Sequence, residues 1–433
     1  MVTSSQDVLF ETEADVSLIN TDKYSGTFSK NMSTHIHSWY RYSAGFSSEW
    51  VGRLICQEKA HDRTHVLDPF VGSGTVLIEA EKYGIYGIGI ESHPFMARIA
   101  KAKLQWRENP ESFKKHALAV MERSRTITPS IEEYPALIKK CYPSDVLGSL
   151  DALCRAWMQM NDNSQYSELT WLTLASILRE CSPVGTAQWT YVLPKKSKAK
   201  PVNPYDAFWS KIQLMVKDMT YMQKIANGPR AVLYQEDARE CKSVPDRWAE
   251  LVVTSPPYAN NYDYADATRL EMSFFKEVDG YGDLQEKVRQ YLIRSCTQHV
   301  ASISKDTYKM IENPLLKPIR DELYEVCKHL DEERNHHGGK KQYHTMIVAY
   351  FLDLTKVWVA LRRTTSDNAL VCFVVGDSAP YGVYVPVERW LGNLAVAAGF
   401  KSYEFDKLRD RNVKWKNRKH RVPLHEGRLW VHG

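Results

Sequence analysis

Short apolar runs and amphipathic stretches alternate along the first part of the chain. The pattern predicts a helix over 48–60, a strand over 65–67, a helix over 76–83, a strand over 86–91 and a helix over 94–104. Strands that alternate with helices at this spacing are typical of a parallel sheet covered by helices. The sequence Asp-Pro-Phe-Val-Gly-Ser-Gly-Thr at 68–75 is therefore expected to form a loop at the carboxyl end of a buried strand.

Two long regions interrupt this alternation, and we call them the first insertion (105–230) and the second insertion (276–340). Both are charged and have helical periodicity, and the first contains a basic stretch at 194–201 that is expected to be a loop. Outside the insertions the pattern predicts strands over 231–237 and 250–254, a helix near 343–363, a strand over 369–375, a helix near 386–398 and a final hairpin from 401–407 and 428–432.

The simplest organisation is one α/β core with two helical insertions, rather than a row of independent domains. Residues 1–30 are polar and weakly patterned, and we expect them to form a mobile N-terminal arm. The core then consists of 31–104, 231–275 and 341–433.

Composition narrows the function only slightly. Of the 433 residues, 43% are hydrophobic and 25% charged, which is ordinary for a soluble globular protein. The net charge of +5 fits nucleic-acid binding on a local basic surface without requiring it. The N-terminus lacks a signal-peptide pattern, and no apolar run approaches the roughly 20 residues of a membrane span. We therefore expect a cytoplasmic protein without membrane contact.

The cysteines do not indicate a metal or disulfide framework. They stand at positions 56, 141, 154, 181, 241, 296, 327 and 372, with no CxxC pair and no metal-ligand spacing. Such scattered cysteines are typical of reduced thiols in a cytosolic protein. We expect no bound metal.

The loop at 68–75 has the glycines of a turn that lets backbone amides approach a ligand and directs a helix N-terminus at it. No lysine follows the last glycine, so this is not a P-loop, and the dinucleotide pattern GxGxxG is also absent. A bare GxG is equally compatible with an ordinary tight turn. The complete string DPFVGSGT is far more specific.

A second motif, Thr-Ser-Pro-Pro-Tyr at 254–258, follows a predicted strand. Two prolines in this position form at least a rigid turn. A turn alone requires neither the serine nor the tyrosine, so the motif indicates chemistry at the same edge of the sheet as the glycine loop.

Together, DPFVGSGT at 68–75 and SPPY at 255–258 resemble the motifs of the S-adenosylmethionine-dependent amino-group DNA methyltransferases, which modify cytosine N4 or adenine N6. The resemblance implies a Rossmann-like methyltransferase fold: a mainly parallel seven-stranded sheet with an antiparallel C-terminal strand. The chain departs from the family in one respect. Its glycine loop precedes its tetrapeptide, whereas these two motif sequences are commonest in enzymes in which the tetrapeptide comes first.

The resemblance also implies which residues bind S-adenosylmethionine and release S-adenosylhomocysteine. Glu91 after the second strand is expected to accept the ribose hydroxyls, and Asp237 after the third strand to contact the adenine amino group. His35 lies in a His- and aromatic-rich element at 34–46 that resembles the family's N-terminal motif. The expected cofactor-binding residues are His35, Asp68, Pro69, Phe70, Gly72, Ser73, Gly74, Thr75, Glu91, Ser92, Asp237, Ala238 and Thr254.

The expected catalytic residues are Ser255, Pro256, Pro257 and Tyr258. An exocyclic amine is a weak nucleophile because its lone pair is delocalised into the ring. The Ser255 side chain and the Pro256 carbonyl are expected to accept its two hydrogens and free that lone pair. Tyr258 is expected to stack on a base rotated out of the duplex.

DNA contacts are expected from basic and amide side chains. A run at 407–421 is the most basic of the chain, and a basic run with an interleaved tryptophan is expected to contact phosphates. The candidates are Lys195, Lys196, Lys198, Lys200, Asn260, Asn261, Arg411, Lys414, Lys416, Arg418 and Lys419. Either insertion is a candidate target-recognition region.

In the family that the chain resembles, serine as the first residue of the tetrapeptide is typical of cytosine-N4 enzymes, so the resemblance favours cytosine N4 over adenine N6. Two other functions stay open: a tRNA guanine-N2 methyltransferase, for which the N-terminal region is short, and a catalytically idle DNA-binding subunit. The family implies a nucleoid-associated enzyme of a restriction-modification or phage-defence system, with double-stranded DNA as partner and a cognate endonuclease or defence proteins as further candidates.

Overall fold

The computed structural model describes residues 28–186, 192–197, 200–226, 228–260, 263–411 and 422–433. Its strands are β1 (His65–Asp68), β2 (Tyr86–Ile90), β3 (Val184–Thr186), β4 (Val192–Ser197), β5 (Val232–Tyr234), β6 (Ala249–Thr254), β7 (Thr365–Gly376), β8 (Ser402–Arg411) and β9 (Leu424–His432). Seven of these strands form the central sheet, and β3 pairs with β4 in a separate ribbon.

The α-helices surround this sheet. They are α1 (Ser48–Ala60), α2 (Thr75–Tyr83), α3 (Pro94–Lys103), α4 (Pro110–Ser124), α5 (Ala136–Cys141), α6 (Ser144–Met160), α7 (Gln165–Cys181), α8 (Pro204–Ile225), α9 (Tyr264–Ala267), α10 (Arg269–Phe274), α11 (Tyr281–Lys287), α12 (Thr307–Ile311), α13 (Arg320–His336), α14 (Tyr343–Thr364) and α15 (Val387–Ala397).

The order of strands in the sheet is β5-β2-β1-β6-β7-β9-β8. The first five are mutually parallel, and β9 runs antiparallel to both of its neighbours. The predicted fold class, a mainly parallel seven-stranded sheet with an antiparallel C-terminal strand, is therefore confirmed. The predicted final hairpin is also present, as β8 and β9.

The central strands are short apolar segments because both faces of the sheet are covered. Leu67 of β1 lies opposite Ile88 of β2 and Val252 of β6, and Leu67 and Val252 are completely buried. Gly84 ends α2 in a left-handed conformation and turns the chain directly into β2. This register brings the carboxyl ends of β1, β2 and β6 to one edge of the sheet.

The first insertion packs onto the core rather than forming a separate body. Its helix α7 lies against α3, where the rings of Trp171 and Phe95 are 5.5 Å apart and Arg98 forms a two-pronged ion pair with Glu168. Helices α4 to α8 share one hydrophobic cluster with α3. The insertion is thus a helical layer on the sheet's β2–β5 side.

Part of the basic stretch at 194–201 was expected to be a loop, but residues 194–197 belong to β4. The strand exists because β4 pairs with β3, a partner that a local pattern does not reveal. Pro194 lies within β4, and a proline is tolerated there because each strand of a two-stranded ribbon has one edge without a partner strand.

From Ile293 onwards the second insertion packs around α14, whereas its first part (Val278, Leu284, Val288 and Leu292) belongs to the hydrophobic cluster of the first insertion. Residues 289–306 contain three 3₁₀ turns (Arg289–Tyr291, Thr297–His299 and Ala301–Asp306) joined by non-helical backbone, in a region where the periodicity predicts helix. The longest regular helix of the insertion is α13. Leu323, Cys327 and Leu330 of α13 are buried in the cluster that contains α14.

Helix α14 is the one helix among the described residues that is long and apolar enough to cross a membrane. Its most apolar window is 89% buried inside the fold. It is therefore the central helix of the core, packed between the sheet and the second insertion.

Candidate active site

A cleft that is partly open to solvent lies at the carboxyl edge of β1, β2 and β6. Parallel α/β sheets bind ligands at this edge because the loops there converge. The side chains and backbone that line the cleft belong to Tyr42, Ala44, Gly45, Phe46, Phe70, Val71, Gly72, Ser73, Thr75, Glu91, Ser92, His93, Ser255, Pro257, Tyr264, Leu292 and Ile293.

The glycine loop turns tightly between β1 and α2. Gly72 and Gly74 have φ angles of 54° and 92°, which disfavour any residue with a side chain, and Gly74 caps the N-terminus of α2. A β-carbon on Gly72 would also lie 3.0 Å from the ring of Tyr42. The loop can therefore bring its backbone against a ligand only with glycine in these places.

Asp68 at the end of β1 is almost completely buried. Its Oδ1 accepts hydrogen bonds from the Thr254 hydroxyl at 2.6 Å and from the Phe70 amide at 3.0 Å. Burial raises the pKa of this carboxyl to about 7, against the lowering effect of these two donors. Its other oxygen, Oδ2, has no hydrogen-bond partner among the described residues.

Glu91 follows β2 and faces the glycine loop. Its two oxygens accept hydrogen bonds from the amides of Gly72 at 2.7 Å and His93 at 2.8 Å. Burial raises the pKa of Glu91 to about 7, and the nearby Asp68 carboxylate contributes in the same direction. Each carboxylate oxygen has a second lone pair, so Glu91 retains capacity for hydroxyl donors in the cleft.

The tetrapeptide follows β6 at the same edge. The Ser255 hydroxyl donates to the Val374 carbonyl at 3.3 Å, which leaves its oxygen lone pairs to accept hydrogens from another group. Pro257 lines the cleft and Pro256 is buried beside it. The Thr254–Asp68 hydrogen bond ties this motif directly to the glycine loop.

The half-buried Tyr258 lies outside the lining of this cleft, on the side towards β7 and β8. Its amide donates to the Tyr264 hydroxyl at 3.4 Å, and the Arg411 guanidinium lies 5.3 Å from its ring centre. Burial holds the pKa of the Tyr258 phenol far above its usual range.

The N-terminal element contributes residues other than the one expected. His35 points away from the cleft: its Nδ1 is 2.6 Å from Asp218 of α8, and its ring stacks on Tyr221. The part of the element that reaches the cleft is 42–46, with Tyr42 and Phe46. The histidine pattern is therefore explained by packing of the N-terminal segment against the first insertion.

Asp237 and Ala238 also do not line the cleft. The Asp237 carboxylate accepts two hydrogen bonds from the Arg239 guanidinium, which is also 3.4 Å from the buried Asp353. Contact of Asp237 with an adenine ring remains a prediction.

Leu292 and Ile293, which the second insertion contributes to the cleft, are residues that the sequence motifs did not predict. Arg294 anchors this segment by an ion pair with Asp353 at 2.6 Å, and the Asn260 amide donates to the Ser295 carbonyl at 2.8 Å. No motif marks Leu292 and Ile293, because a short apolar pair inside a charged region has no distinguishing pattern.

A second contact that holds this segment is a buried ion pair. The Arg289 guanidinium donates to Asp263 at 2.7 Å. Against the effect of burial, the neighbouring His299 and Arg289 together lower the pKa of that carboxyl to about 2. Asp263 also lies near Cys296 and His299, a group with metal-ligand types. Arg289 already supplies the positive charge there.

The expected DNA contacts are only partly described. Lys200 and Asn260 are exposed, while Lys195 and Lys196 lie in β4. Arg411, at the end of β8, is half-buried against Tyr258. The remaining candidates fall outside the described residues: Lys198, Asn261, Lys414, Lys416, Arg418 and Lys419.

Comparison with known proteins agrees with this geometry. Residues 17–102 match a family model described as DNA methylase, of the N6/N4 type. The chain is 26% identical over 429 residues to the type II methyltransferase M.BsoBI of Geobacillus stearothermophilus, which covers 89% of this chain and 82% of that protein. It is 24% identical over 408 residues to the type II methyltransferase M.AvaI of Nostoc sp., covering 86% and 81% respectively. No solved structure matches the chain significantly.

Proposed function

Because this chain belongs to the amino-group DNA methyltransferases, whose family implies S-adenosylmethionine as cofactor, we propose that it methylates the N4 amino group of cytosine in duplex DNA. The observation that carries the proposal is the hydrogen bond between Thr254 and Asp68. It holds the serine of the tetrapeptide against the glycine-loop cleft, so an acceptor for an amino group and a nucleoside pocket share one edge of the sheet.

The cleft fits the cofactor by its unused polar atoms. The Ser73 hydroxyl of the cleft lining is buried without a hydrogen-bond partner in the described structure. The same holds for Oδ2 of Asp68, which does not line the cleft itself but accepts the amide of the lining residue Phe70. Buried polar atoms without partners are costly, so they are expected to gain donors or acceptors from a ligand. We assign Asp68, Gly72 and Ser73 to the methionine end and Glu91 to the ribose hydroxyls.

S-adenosylmethionine, when bound, supplies an electrophilic methyl group on sulfur. The protein's own contribution is to position and activate the amine. The Ser255 oxygen and the Pro256 carbonyl accept hydrogen bonds from the two N–H groups of the amine. These hydrogen bonds direct the nitrogen lone pair out of the ring plane. Holding the amine in the reactive orientation lowers the entropic part of the barrier, and this accounts for much of the acceleration of methyl transfer.

The amino group of a paired cytosine lies inside the duplex, so the base has to rotate out of the stack before it reaches Ser255. Tyr258 is the aromatic side chain next to this serine, and we assign it to stacking on the rotated base. Adenine N6 is the second candidate, because the two hydrogen acceptors would serve either amino group.

The similar proteins M.BsoBI and M.AvaI are both named type II methyltransferases. On that basis we assign the protein to a restriction-modification system in the cytoplasm, with a cognate endonuclease as its functional partner. The methylation mark would protect the host DNA from that endonuclease.

Cofactor titration followed by labelled-methyl transfer tests the proposal. Calorimetry with S-adenosylmethionine should show one site, and labelled methyl should appear in duplex DNA and not in tRNA. Nucleoside mass spectrometry of DNA from expressing cells should then show N4-methylcytosine. N6-methyladenine instead would select the second candidate, and transfer only to tRNA, or to neither nucleic acid, would contradict the assignment to DNA.

A further inference from the structure

Arg411 occupies the position beside Tyr258 where a rotated base would be expected to stack. Its guanidinium carbon is 5.3 Å from the ring centre, within the range of a cation–π contact. The same guanidinium donates through Nη1 to the Asp377 carbonyl at 2.8 Å, immediately after β7. Arg411 is therefore held between the tyrosine and the backbone at the carboxyl end of β7.

The backbone of β7 is shaped to admit this guanidinium. A β-carbon placed on Gly376 would lie 2.5 Å from Nη1 of Arg411 and 3.2 Å from its Cδ. Gly376 does not have a positive φ, so the glycine is not needed for its conformation. The absence of a side chain at Gly376 is needed instead for the approach of Arg411.

Position and burial argue against Arg411 as a phosphate contact. It is half-buried and engaged by Tyr258 and Asp377, whereas arginines that bind phosphates on a duplex need an exposed head group. It also adjoins the residues that the tetrapeptide motif places at the amino group, since Tyr258 stands three residues after Ser255.

We propose that Arg411 is a specificity-determining residue of the target-base pocket: it covers Tyr258 in the free enzyme and donates hydrogen bonds to the rotated base in the complex. This inference rests on the proposed function. Cytosine carries two adjacent acceptors, N3 and O2, on the edge beside its amino group, whereas adenine carries only N1 there. A guanidinium offers paired donors in a fixed plane, which matches the two acceptors of cytosine.

Three variants test the proposal. Arg411→Gln removes the paired donors, and Arg411→Lys keeps the charge but not the planar pair. Gly376→Ala leaves Arg411 in the sequence but pushes its guanidinium away, because the new methyl group meets the flexible end of that side chain. Lys401→Ala is the control, because it removes an exposed positive charge just before β8, the strand that ends in Arg411. Lys401 donates to the Asp367 carbonyl near the start of β7, at the opposite end of that strand from Gly376.

The assay is labelled-methyl transfer to duplex DNA. Removal of a bidentate base contact should lower kcat/KM about 10- to 100-fold for Arg411→Gln and Gly376→Ala, with Arg411→Lys intermediate. Cofactor affinity and melting temperature should stay at the wild-type values in all three, and Lys401→Ala should retain its full rate. A wild-type rate in Arg411→Gln would overturn the inference.

A second measurement separates base contact from a purely structural role. Once the methylated position has been mapped, binding is compared on duplexes with cytosine or an abasic site at that position. The Arg411→Gln variant should bind the cytosine duplex more weakly than the wild type and the abasic duplex equally well. An equal deficit on both duplexes would overturn the inference. If the wild type produces N6-methyladenine, the proposed cytosine specificity fails, and with it the reason for paired donors.

Discussion

Asp68 shows how one buried residue links the two motifs. It ends β1, accepts the Thr254 hydroxyl from the adjacent β6, and keeps one oxygen without a partner in the described structure. A buried carboxyl in this state is costly to ionise, which is why its pKa is raised to about 7. The ionised fraction of Asp68 therefore changes around neutral pH, and a cationic ligand would favour the charged form.

Because the pKa of Asp68 lies near neutrality, we expect cofactor binding to depend on pH. S-adenosylmethionine is cationic and rich in donors, so it should bind best when Asp68 and Glu91, both with a pKa of about 7, are ionised. Affinity measured by calorimetry should rise from about pH 5.5 to about pH 8 and then level off, since the two carboxyls titrate within that range. Asp68→Asn should bind more weakly and reduce this slope, leaving the part due to Glu91.

The stability of the cofactor-free protein should change in the opposite direction. A carboxyl whose pKa is raised by folding stabilises the protein below its ordinary pKa, and that contribution disappears as pH rises through about 7. Asp68→Asn should therefore melt higher than the wild type at about pH 8, with the difference shrinking at about pH 5. Affinity that does not vary with pH in the wild type would contradict both expectations.

The tetrapeptide should act on catalysis and not on cofactor binding. Ser255→Ala combined with Tyr258→Ala removes one hydrogen acceptor and the stacking ring while leaving Asp68 and Glu91 in place. We expect methyl transfer to disappear, with cofactor affinity within about twofold of the wild type, since the variant removes only groups that act on the base. A large drop in cofactor affinity in this variant would show that the motif belongs to the cofactor pocket instead.

At the scale of elements, the non-helical segment between two 3₁₀ turns of the second insertion completes the cleft. Leu292 and Ile293 line it, and the ion pairs Arg289–Asp263 and Arg294–Asp353 hold the segment on both sides. The Arg289–Asp263 pair is almost completely buried, so removal of either partner would leave a costly unpaired charge. Leu292 and Ile293 thus form an apolar wall of the cleft.

A matched pair of leucine substitutions tests this wall. Leu292→Ala should weaken S-adenosylmethionine binding about tenfold, the value of one leucine side-chain contact in the cleft. Leu316→Ala removes a fully buried leucine of the same insertion that is not part of the cleft, so it should lower the melting temperature but leave the affinity unchanged. Equal decreases of affinity in the two variants would mean a general decrease of stability.

At the scale of the whole molecule, charge is unevenly distributed. The first insertion carries 17 basic and 12 acidic residues, while the second carries 11 and 12. The run 407–421 carries eight basic residues and one acidic residue. Phosphate binding should therefore depend on the C-terminal run and the first insertion, and the second insertion should contribute mainly to the cleft.

Salt dependence of DNA binding tests this division. Replacing Lys414, Lys416, Arg418 and Lys419 by glutamine should weaken binding and reduce the salt slope by up to about 0.9 for each phosphate that the variant no longer neutralises. The control replaces four exposed lysines of the second insertion, at 305, 309, 317 and 328, and should leave the slope nearly unchanged. A reduced slope in the control, with an unchanged slope in the C-terminal variant, would show that the second insertion binds the phosphates.

The sequence alone determined the parts of this protein that depend on local pattern. Asp68 to Thr75, Glu91 and Ser255 to Tyr258 stand at strand ends, and the apolar runs before them are long enough to identify those strands. Because parallel strands end at one edge, their place at a common edge of the sheet followed without coordinates, and so did the fold class and the final hairpin.

Only the tertiary structure decided which side chains meet across long separations. The contact of His35 with α8, the position of Leu292 and Ile293 in the cleft, and the approach of Arg411 to Tyr258 each join segments that no local pattern connects. These contacts arise from how the insertions and the C-terminal hairpin pack on the sheet. Packing depends on complementary shape and burial across the whole chain, which periodicity within one segment does not encode.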